Sequence, residues 1–546
     1  MSEIPSDTAE SQNLSMRGNS RRENIEIPAA SQMTFYDIWE RSENASGGNA
    51  DVYAAGKSHN SIVPTTTSNN DGTEPSAETD EGRELAERNI DPSNLAQAQT
   101  WKPKSKGLIG VRESALRDRQ LRFTNLMHHI SPQLLMESFN SLKRGSAAGV
   151  DGVTWHDYEV DVEARINELH SRIHRGAYRA LPSRRVWIDK ANGGKRPLGV
   201  AALEDKIVQQ AVLWVIQKIY EVDFADFSYG FRPGRGCHQA LDALSVALTT
   251  RKVNWVLDVD LAKFFDSLDR EWLCKFLDLR IGDRRMIRLI RKWLNAGVVE
   301  DGNWSATAEG TPQGSVISPI LANIFLHYAL DLWVHWWRQQ PGRGEVIIVR
   351  YADDFVMGFQ HRSDAIEFQR DLEARFAKFG LEVNRDKTHL IEFGRFAEAN
   401  RRRRNEPKPE TFDFLGFTHI SGRTRNGKYI VKRQSIGKRL RAKLQDVGTK
   451  LRSMRHAPLR TTGEWLKHVI RGWYGYHAVP GNMKRLEQFS DGIKVLWLNV
   501  LRRRSQRSHW TWERFDRVLG HYFPAPSILH PYPSARHHDR LRARTV

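Results

Sequence analysis

The stretch VIIVRYADDFVMGF, residues 346–359, is the most informative part of this sequence for the fold. Two apolar runs, Val346–Tyr351 and Phe355–Phe359, flank a short segment that ends in the carboxylates Asp353 and Asp354. Short apolar runs separated by a few turn residues are typical of two antiparallel strands joined by a tight turn. The pattern therefore predicts a β-hairpin that presents two adjacent carboxylates at its turn.

A second pair of carboxylates lies inside the apolar run Trp255–Leu261, which we interpret as a buried strand. Side chains two residues apart in a strand share a face, so Asp258 and Asp260 are predicted to point the same way. Carboxylates in apolar surroundings are costly unless something compensates their charge. Magnesium is a suitable compensator, because it binds carboxylate oxygens together with substrate phosphates, and two such ions can clamp an in-line phosphoryl displacement. The alternative is a solvated acidic turn that never meets the strand pair.

The rest of the chain mixes helical and strand patterns. Apolar residues at helical spacing predict helices over Leu134–Leu142, Val160–Ile173, Lys206–Tyr220, Met286–Leu294, Pro319–Trp337 and Ala365–Phe379. The last of these is predicted to bury Ile366, Phe368, Leu372, Phe376 and Phe379 on one face. Further strands are predicted at Val186–Ile188 and Phe412–Ile420. An exposed loop or linker is predicted over Arg395–Pro409, before the second of these strands. From Ser435 onward the chain is helical and basic, so the fold class is α+β followed by an all-helical domain.

Composition excludes several classes of protein. Hydrophobic residues make up 40% of the 546 residues, which is enough for real cores. The only cysteines, Cys237 and Cys274, are far apart, which excludes a disulfide framework and a paired-cysteine zinc module. No apolar run reaches the roughly 18 residues of a membrane span, and the polar N-terminus does not match a secretory signal. We therefore expect a cytosolic protein with no membrane partner.

The net charge of +18 is unevenly distributed. Residues 1–100 carry 7 Lys/Arg against 17 Asp/Glu and are poor in apolar side chains, so we predict a disordered acidic extension. Residues 423–546 carry 28 Lys/Arg against 7 Asp/Glu, which favours a nucleic-acid surface. Residues 101–422 are left as the mixed α+β core.

At Tyr351-Ala352-Asp353-Asp354 the sequence resembles a reverse transcriptase, and more narrowly the reverse transcriptase–maturase proteins of bacterial group II introns. The resemblance covers roughly residues 115–535 and rests on blocks in a fixed order. The blocks are AGVDG (148–152), GKRPLG (194–199), YGFRPGR (229–235), Asp260 to Asp266, GTPQGS (310–315), the Tyr351–Asp354 turn, GLEVN (380–384) with Lys387, and FLGF (414–417). It implies a right-hand polymerase fold, with fingers and palm over 101–422 and a thumb and maturase domain over 423–546.

The resemblance also implies site residues. Asp260, Asp353 and Asp354 match the catalytic carboxylates that bind two magnesium ions, with manganese as a possible substitute. Asp260 is preferred to Asp258 because a bulky position then follows five residues later, at Phe265, where an aromatic ring would clash with a ribose 2′-hydroxyl. Lys387 matches a lysine suspected of protonating the pyrophosphate.

Other matched positions concern the nucleotide and the nucleic acid. Lys190, Arg196, Phe265 and Gln313 match nucleotide-binding positions, whose ordinary alternatives are surface charge, a core aromatic and a Gly/Pro turn. The residues expected to contact RNA or template are Arg232, Arg235, Gly314, Arg439, Arg441, Lys443, Arg471, Arg502, Arg503 and Arg504.

The function implied is that of an RNA-directed DNA polymerase that binds its host group II intron RNA, assists splicing and copies the RNA into DNA during intron mobility. Its partners would be the intron RNA, a DNA target or primer and dNTPs, as a monomer or a dimer. No cysteine follows Cys274, so we expect no C-terminal HNH endonuclease and the use of a pre-existing primer. The alternatives are an RNA-binding splicing cofactor with little polymerase activity and a domesticated, defence-associated reverse transcriptase.

Overall fold

The computed structural model describes residues 106–189, 195–300, 302–305, 314–505 and 509–536. The predicted acidic extension over residues 1–100 lies outside the described residues. Within the described residues, no helix has both the length and the apolar character needed to cross a membrane.

The described part of the chain mixes helices and strands, as the sequence predicts. The helices before the basic C-terminal region are α1 (Lys106–Arg117), α2 (Pro132–Ser141), α3 (Trp155–Glu159), α4 (Val162–His174), α5 (Leu203–Asp223), α6 (Cys237–Thr250), α7 (Arg270–Arg280), α8 (Arg284–Leu294), α9 (Ser318–Leu326), α10 (Leu332–Trp337), α11 (Arg362–Ala377) and α12 (Ala397–Arg403). A π-helical turn, His327–Asp331, joins α9 to α10. The C-terminal helices are α13 (Gly437–Ser453), α14 (Leu459–His477), α15 (Met483–Arg502) and α16 (Trp512–Tyr522).

The strands form three sheets. They are β1 (Ser183–Asp189), β2 (Lys195–Val200), β3 (Trp255–Val259), β4 (Val298–Glu300), β5 (Asn303–Ser305), β6 (Val346–Tyr351), β7 (Asp354–Phe359), β8 (His389–Glu392), β9 (Phe412–Phe414), β10 (Phe417–Arg423) and β11 (Tyr429–Ser435). Their orders are β2-β1-β4-β5, β6-β7-β3-β8 and β11-β10-β9. The second of these, here called the central sheet, is antiparallel throughout and contains the predicted hairpin as β6 and β7.

The central sheet is held between two hydrophobic clusters. Leu257, Phe355 and Met357 belong to the larger cluster, which also contains α5, α7 and α9 side chains. Val256 and Val356 belong to a second cluster, together with residues of α6 and of the β9–β11 sheet. Because side chains alternate along each strand, both faces of the sheet are covered and its register is fixed.

The C-terminal helices have a core of their own, built around Leu466, Ile470, Phe489 and Trp497. This confirms a helical region after Ser435. The boundary predicted at residues 422/423 is misplaced, because it falls between β10 and β11, which pair over seven positions of one sheet. The helical region begins at Gly437.

Two further sequence predictions are corrected. The segment 395–409 is not a plain loop, since it contains α12, and Arg401 donates to Glu410 while Arg404 donates to Glu406. Ile366 is 49% exposed, whereas Phe368, Leu372, Phe376 and Phe379 are buried as predicted. Helical spacing alone placed Ile366 at the margin of the apolar face, and the neighbouring elements leave it uncovered.

A buried polar cluster joins the helical region to α6. The carboxylate of Asp242 in α6 accepts a hydrogen bond from Nη1 of Arg433 in β11 at 3.1 Å and one from Nε of Arg536, which lies beyond α16. Asp242 and Arg433 are both buried. The chain before Arg536 is fixed as well, because the backbone N–H groups of Leu529 and His530 donate to the carbonyl of Ala478.

We predict that Asp242→Ala lowers the free energy of unfolding by about 3–5 kcal/mol, because it leaves a buried guanidinium without its carboxylate. Urea unfolding monitored by tryptophan fluorescence would measure the effect. Asp516→Ala, which removes an exposed carboxylate on α16, is the control and should shift the midpoint little. Equal midpoints for the two variants would contradict the assignment.

Candidate active site

The two acidic segments meet at one end of the central sheet. Strand β3 pairs with β7 up to Val259 and Phe355, and continuing that register by one residue places Asp260 opposite Asp354. Tyr351 pairs with Asp354 across the hairpin, so Ala352 and Asp353 form its two-residue turn. The predicted hairpin is confirmed, and the alternative in which the two acidic segments never meet is wrong.

Two carboxylates at this end, Asp354 and Asp258, have raised pKa values. Burial raises the pKa of Asp354 well above its usual range, and the neighbouring carboxylates of Asp258, Asp353 and Asp260 raise it further, while Arg439 in α13 opposes the effect. Burial also raises the pKa of Asp258 to about 7, with added repulsion from Asp413 and Asp260. The site therefore has an excess of negative charge that a cation would relieve.

Asp260 is tied to the loop that follows α11. Its Oδ2 accepts hydrogen bonds from Nδ2 of Asn384 at 3.1 Å and from Nζ of Lys387 at 3.0 Å. The backbone N–H of Asn384 donates to the carbonyl of Asp260 at 2.8 Å. The Lys387 side chain is 65% exposed, so its ammonium group lies beside a predicted metal-binding carboxylate and remains accessible to a substrate.

The donor set suits magnesium. In the described part of the chain, no three His, Cys, Asp or Glu side chains are grouped closely enough to ligate one ion by themselves. Magnesium is commonly bound by one or two carboxylates, with water and substrate phosphates completing the shell. Carboxylates brought to one end of two paired strands fit such a substrate-completed site.

Close packing under the turn depends on a glycine. A Cβ atom on Gly230 would lie 2.3 Å from the backbone nitrogen of Ala352 and 2.9 Å from the carbonyl carbon of Tyr351. The same block is joined to β6 through hydrogen bonds between Tyr229 N–H and the Arg350 carbonyl, at 2.8 Å, and between Arg350 N–H and the Phe227 carbonyl, at 2.9 Å. The YGFRPGR block (229–235), abbreviated below as the YGFR block, therefore packs directly against the acidic turn.

Of the four predicted nucleotide-binding residues, the structure describes Phe265 in full and Arg196 by its backbone. Phe265 is half-buried and packs edge-on against Phe264, with ring centroids 5.3 Å apart. The backbone of Arg196 lies in β2, paired with Ile188. Lys190 and Gln313 lie outside the described residues.

Gly314 has a φ of 107°, and a Cβ atom there would lie 2.8 Å from the carbonyl oxygen of Gly199. Gly314 therefore lies directly against the backbone of Gly199 in β2.

Three of the arginines expected to contact RNA are used within the protein, and we correct their roles. Arg232 is buried, and its guanidinium donates to Glu221 and to the carbonyls of Ala225 and Ser228. Arg235 donates to the carboxylate and carbonyl of Asp226 and to the Ser228 carbonyl. Arg504 donates to the carbonyls of Arg455 and Ala457. Each of these guanidinium groups therefore uses several of its five N–H donors in hydrogen bonds within the protein.

The other predicted RNA-contacting side chains lie in the helical region. Lys443 is half-buried, and the exposed ones are Arg439, Arg441, Arg471, Arg502 and Arg503. Of the nearby tryptophans, Trp497 is fully buried and Trp473 stacks between His477 and Phe489, so these two serve the core. The five exposed arginines thus lie on α13, on α14 and at the end of α15.

Sequence reasoning missed the residues beneath the turn. Arg350, Asp331 and Asn323 are buried, and the Arg350 guanidinium donates to both Asp331 and Asn323. The only local signal was an arginine inside an apolar strand, which is as unusual as the carboxylates that were recognised.

Comparison with known proteins identifies the class. Residues 188–419 match the family model "Reverse transcriptase (RNA-dependent DNA polymerase)", which spans the central sheet and both acidic segments. The match identifies a reverse transcriptase domain.

The relatives span different shares of the chain. Protein YkfC of Escherichia coli is 33% identical over 353 residues, which cover 58% of this chain and 88% of that protein. The group II intron-encoded protein LtrA of Lactococcus lactis is 34% identical over 227 residues, 40% of this chain and 38% of LtrA. A putative COX1/OXI3 intron 1 protein of Saccharomyces cerevisiae is 26% identical over 470 residues, 75% of this chain and 50% of that protein. The chain thus spans most of YkfC and half or less of the two intron proteins. It belongs to the reverse transcriptase family, in its group II intron reverse transcriptase/maturase branch.

We predict that Gly230→Ala displaces the acidic turn, because its new methyl group would overlap the Ala352 backbone. The expected loss of stability is about 1–3 kcal/mol, as for overpacking elsewhere, and thermal unfolding would measure it. Gly472→Ala is the matched control, since nothing lies within 4 Å of a Cβ atom there and alanine favours the helix. A Gly230→Ala protein as stable as Gly472→Ala would contradict the close approach.

Proposed function

We propose that the protein is an RNA-directed DNA polymerase that binds its host group II intron RNA, assists splicing and copies the RNA into DNA during intron mobility. The observation that carries the proposal is the meeting of Asp260 with the Asp353–Asp354 turn inside a reverse transcriptase domain. Membership of the group II intron branch supports the choice of RNA.

In the proposed reaction, a primer 3′-hydroxyl attacks the α-phosphate of a dNTP and pyrophosphate leaves. Asp260, Asp353 and Asp354 would hold two magnesium ions, for which manganese could substitute. Such ions, when bound, activate the hydroxyl and neutralise charge on the phosphates. Lys387, which contacts Asp260 and is exposed, would donate a proton to the departing pyrophosphate. Lys190, Arg196 and Gln313 are proposed to contact the nucleotide.

The division of the chain into domains is part of the same proposal. Fingers and palm would extend from residue 101 to Ser435, past the predicted boundary, because β10 and β11 share a sheet. The helices from Gly437 onward would form the thumb and maturase domain. Its exposed arginines, joined by Lys443 and by the backbone around Gly314, would contact RNA and template phosphates and make binding weaken with salt.

We predict that the wild-type protein extends a DNA primer on an RNA template with magnesium, and that Asp353→Asn and Asp354→Asn each reduce kcat by at least about 100-fold. Metal-held carboxylates contribute several kcal/mol to transition-state stabilisation, and about 1.4 kcal/mol corresponds to tenfold in rate. Asp260→Asn should behave like them.

Asp258→Asn is the matched control and should retain activity within about tenfold of wild type, because we assign no metal contact to Asp258. Equal reductions of kcat in Asp258→Asn and Asp260→Asn would contradict the choice of Asp260 over Asp258 as the metal-binding carboxylate. A folded, RNA-binding wild type without incorporation would favour the splicing-cofactor alternative.

We predict that Phe265→Val relaxes the selection against ribonucleotides. A ring beneath the sugar would exclude a 2′-hydroxyl, so its truncation should lower the ratio of kcat/KM for dNTP over rNTP by about 10- to 100-fold. Phe264→Val, which truncates the buried neighbour, should reduce stability and leave that ratio unchanged. An unchanged ratio in Phe265→Val would remove Phe265 from the nucleotide pocket.

A further inference from the structure

Arg350 is a buried cation beneath the acidic turn. It lies in β6 and its side chain is 0% exposed. Its Nε donates to Oδ1 of Asp331 at 2.8 Å and its Nη2 to Oδ2 of Asp331 at 2.5 Å, so the two groups form a bidentate ion pair. Its Nη1 donates to Oδ1 of Asn323 at 3.1 Å and to the carbonyl oxygen of Ala352 at 3.0 Å.

The last of these hydrogen bonds acts on the turn itself. The carbonyl of Ala352 belongs to the peptide group that joins Ala352 to Asp353. Because a peptide group is planar, fixing this oxygen fixes the plane and restricts the directions open to the Asp353 side chain. Ala352 has a φ of 57°, a conformation that alanine rarely adopts and that the surroundings must maintain.

The partners of Arg350 come from the helix that packs behind the sheet. Asp331 ends the π-helical turn between α9 and α10, and Asn323 lies in α9. Nδ2 of Asn323 also donates to the carbonyl of Gly230 at 2.8 Å. The network therefore joins the helix, the YGFR block and the acidic turn through side chains that are all buried.

Stability alone does not require such an arrangement, because apolar residues of similar volume often stabilise a core as well as a buried ion pair does. The same protein contains a buried bidentate pair without a link to the site. Arg280 donates from Nε to Oδ2 of Asp223 at 2.8 Å and from Nη2 to Oδ1 of Asp223 at 3.3 Å. Its Nη1 donates to the carbonyl of Leu121 at 2.8 Å. What distinguishes Arg350 is its direct hydrogen bond to the acidic turn.

We propose that Arg350 is a positioning residue that sets the orientation of Asp353, and through it the affinity of the site for its divalent cation. This inference rests on the proposed function. Lysine at position 350 would keep the charge opposite Asp331 but lacks the planar fork needed to reach Asp331, Asn323 and Ala352 together.

The test compares Arg350→Lys with Arg280→Lys in the full-length protein. Both remove a buried bidentate pair, so both should lower the melting temperature. Manganese binding to the complex with primer and RNA template, followed by the electron paramagnetic resonance of the free ion, provides a readout independent of activity. Arg350→Lys should weaken manganese binding and raise the magnesium concentration at half-maximal rate, each by about 3- to 10-fold, and lower kcat by at least about tenfold. Arg280→Lys should leave both metal midpoints unchanged.

Asn323→Ala is the second variant, in case Arg350→Lys does not fold. It removes one partner of Arg350 and the bond to Gly230 without changing charge, and it should shift the metal midpoints in the same direction by a smaller factor. Metal midpoints that stay at the wild-type value in the folded variants would overturn the proposal.

Failure of the proposed function can be distinguished from failure of the positioning role of Arg350. Failure of the proposed function would show as a wild type that does not incorporate dNTPs, or as an Asp353→Asn protein that does. If wild type is active, Asp353→Asn is inactive and Arg350→Lys behaves as Arg280→Lys, only the positioning role is wrong.

Discussion

The pairing of β3 with β7 is the constraint on which the candidate site depends. The register from Trp255–Phe359 to Val259–Phe355 is what brings Asp260 beside Asp354. A shift of one residue would reverse the faces of the whole strand, and would place Val256 and Leu257 against the wrong hydrophobic clusters. The apolar residues of β3 thus determine where its carboxylates lie, although they take no part in any chemistry.

The same packing buries carboxylates close to one another, which is electrostatically unfavourable and only partly offset by nearby cations. Apolar neighbours remove water from Asp354 and Asp258, and the pKa of each rises because burial and adjacent carboxylates both disfavour the charged form. Two cations act on these carboxylates. Lys387 donates a hydrogen bond to Asp260, and Arg439 in α13 opposes the rise in the pKa of Asp354. Arg350, a fully buried cation, is paired with Asp331 and donates to the backbone carbonyl of Ala352. The metal ions proposed above would offset the charge at the turn, while the hydrogen bond from Arg350 constrains its backbone.

The sequence predicted what is local and missed what is distant along the chain. The hairpin, the β3 run and most helices follow from alternation or helical spacing within a window of a few residues. Arg350 could not be connected to its partners, which lie 19 and 27 residues earlier. Arg232 was expected to contact RNA because its block resembles the family's, yet it is buried and donates to Glu221 and two backbone carbonyls. The break between β9 and β10 was also missed, since it depends on positive φ angles at Leu415 and Gly416 within an otherwise strand-like run.

That break joins the helical region to the sheet formed by β9, β10 and β11. The turn at Leu415 accepts a hydrogen bond from the Tyr476 hydroxyl of α14 at 2.7 Å, and Arg439 at the start of α13 is close enough to oppose the raised pKa of Asp354. Farther from the site, Asp242 holds Arg433 and Arg536 from either side of the helical region. Exposed surface arginine pairs contribute little to stability, whereas buried hydrogen-bonded ones are costly to break. The arginines proposed to contact RNA are therefore carried on helices whose placement relative to the acidic turn is fixed by these polar contacts.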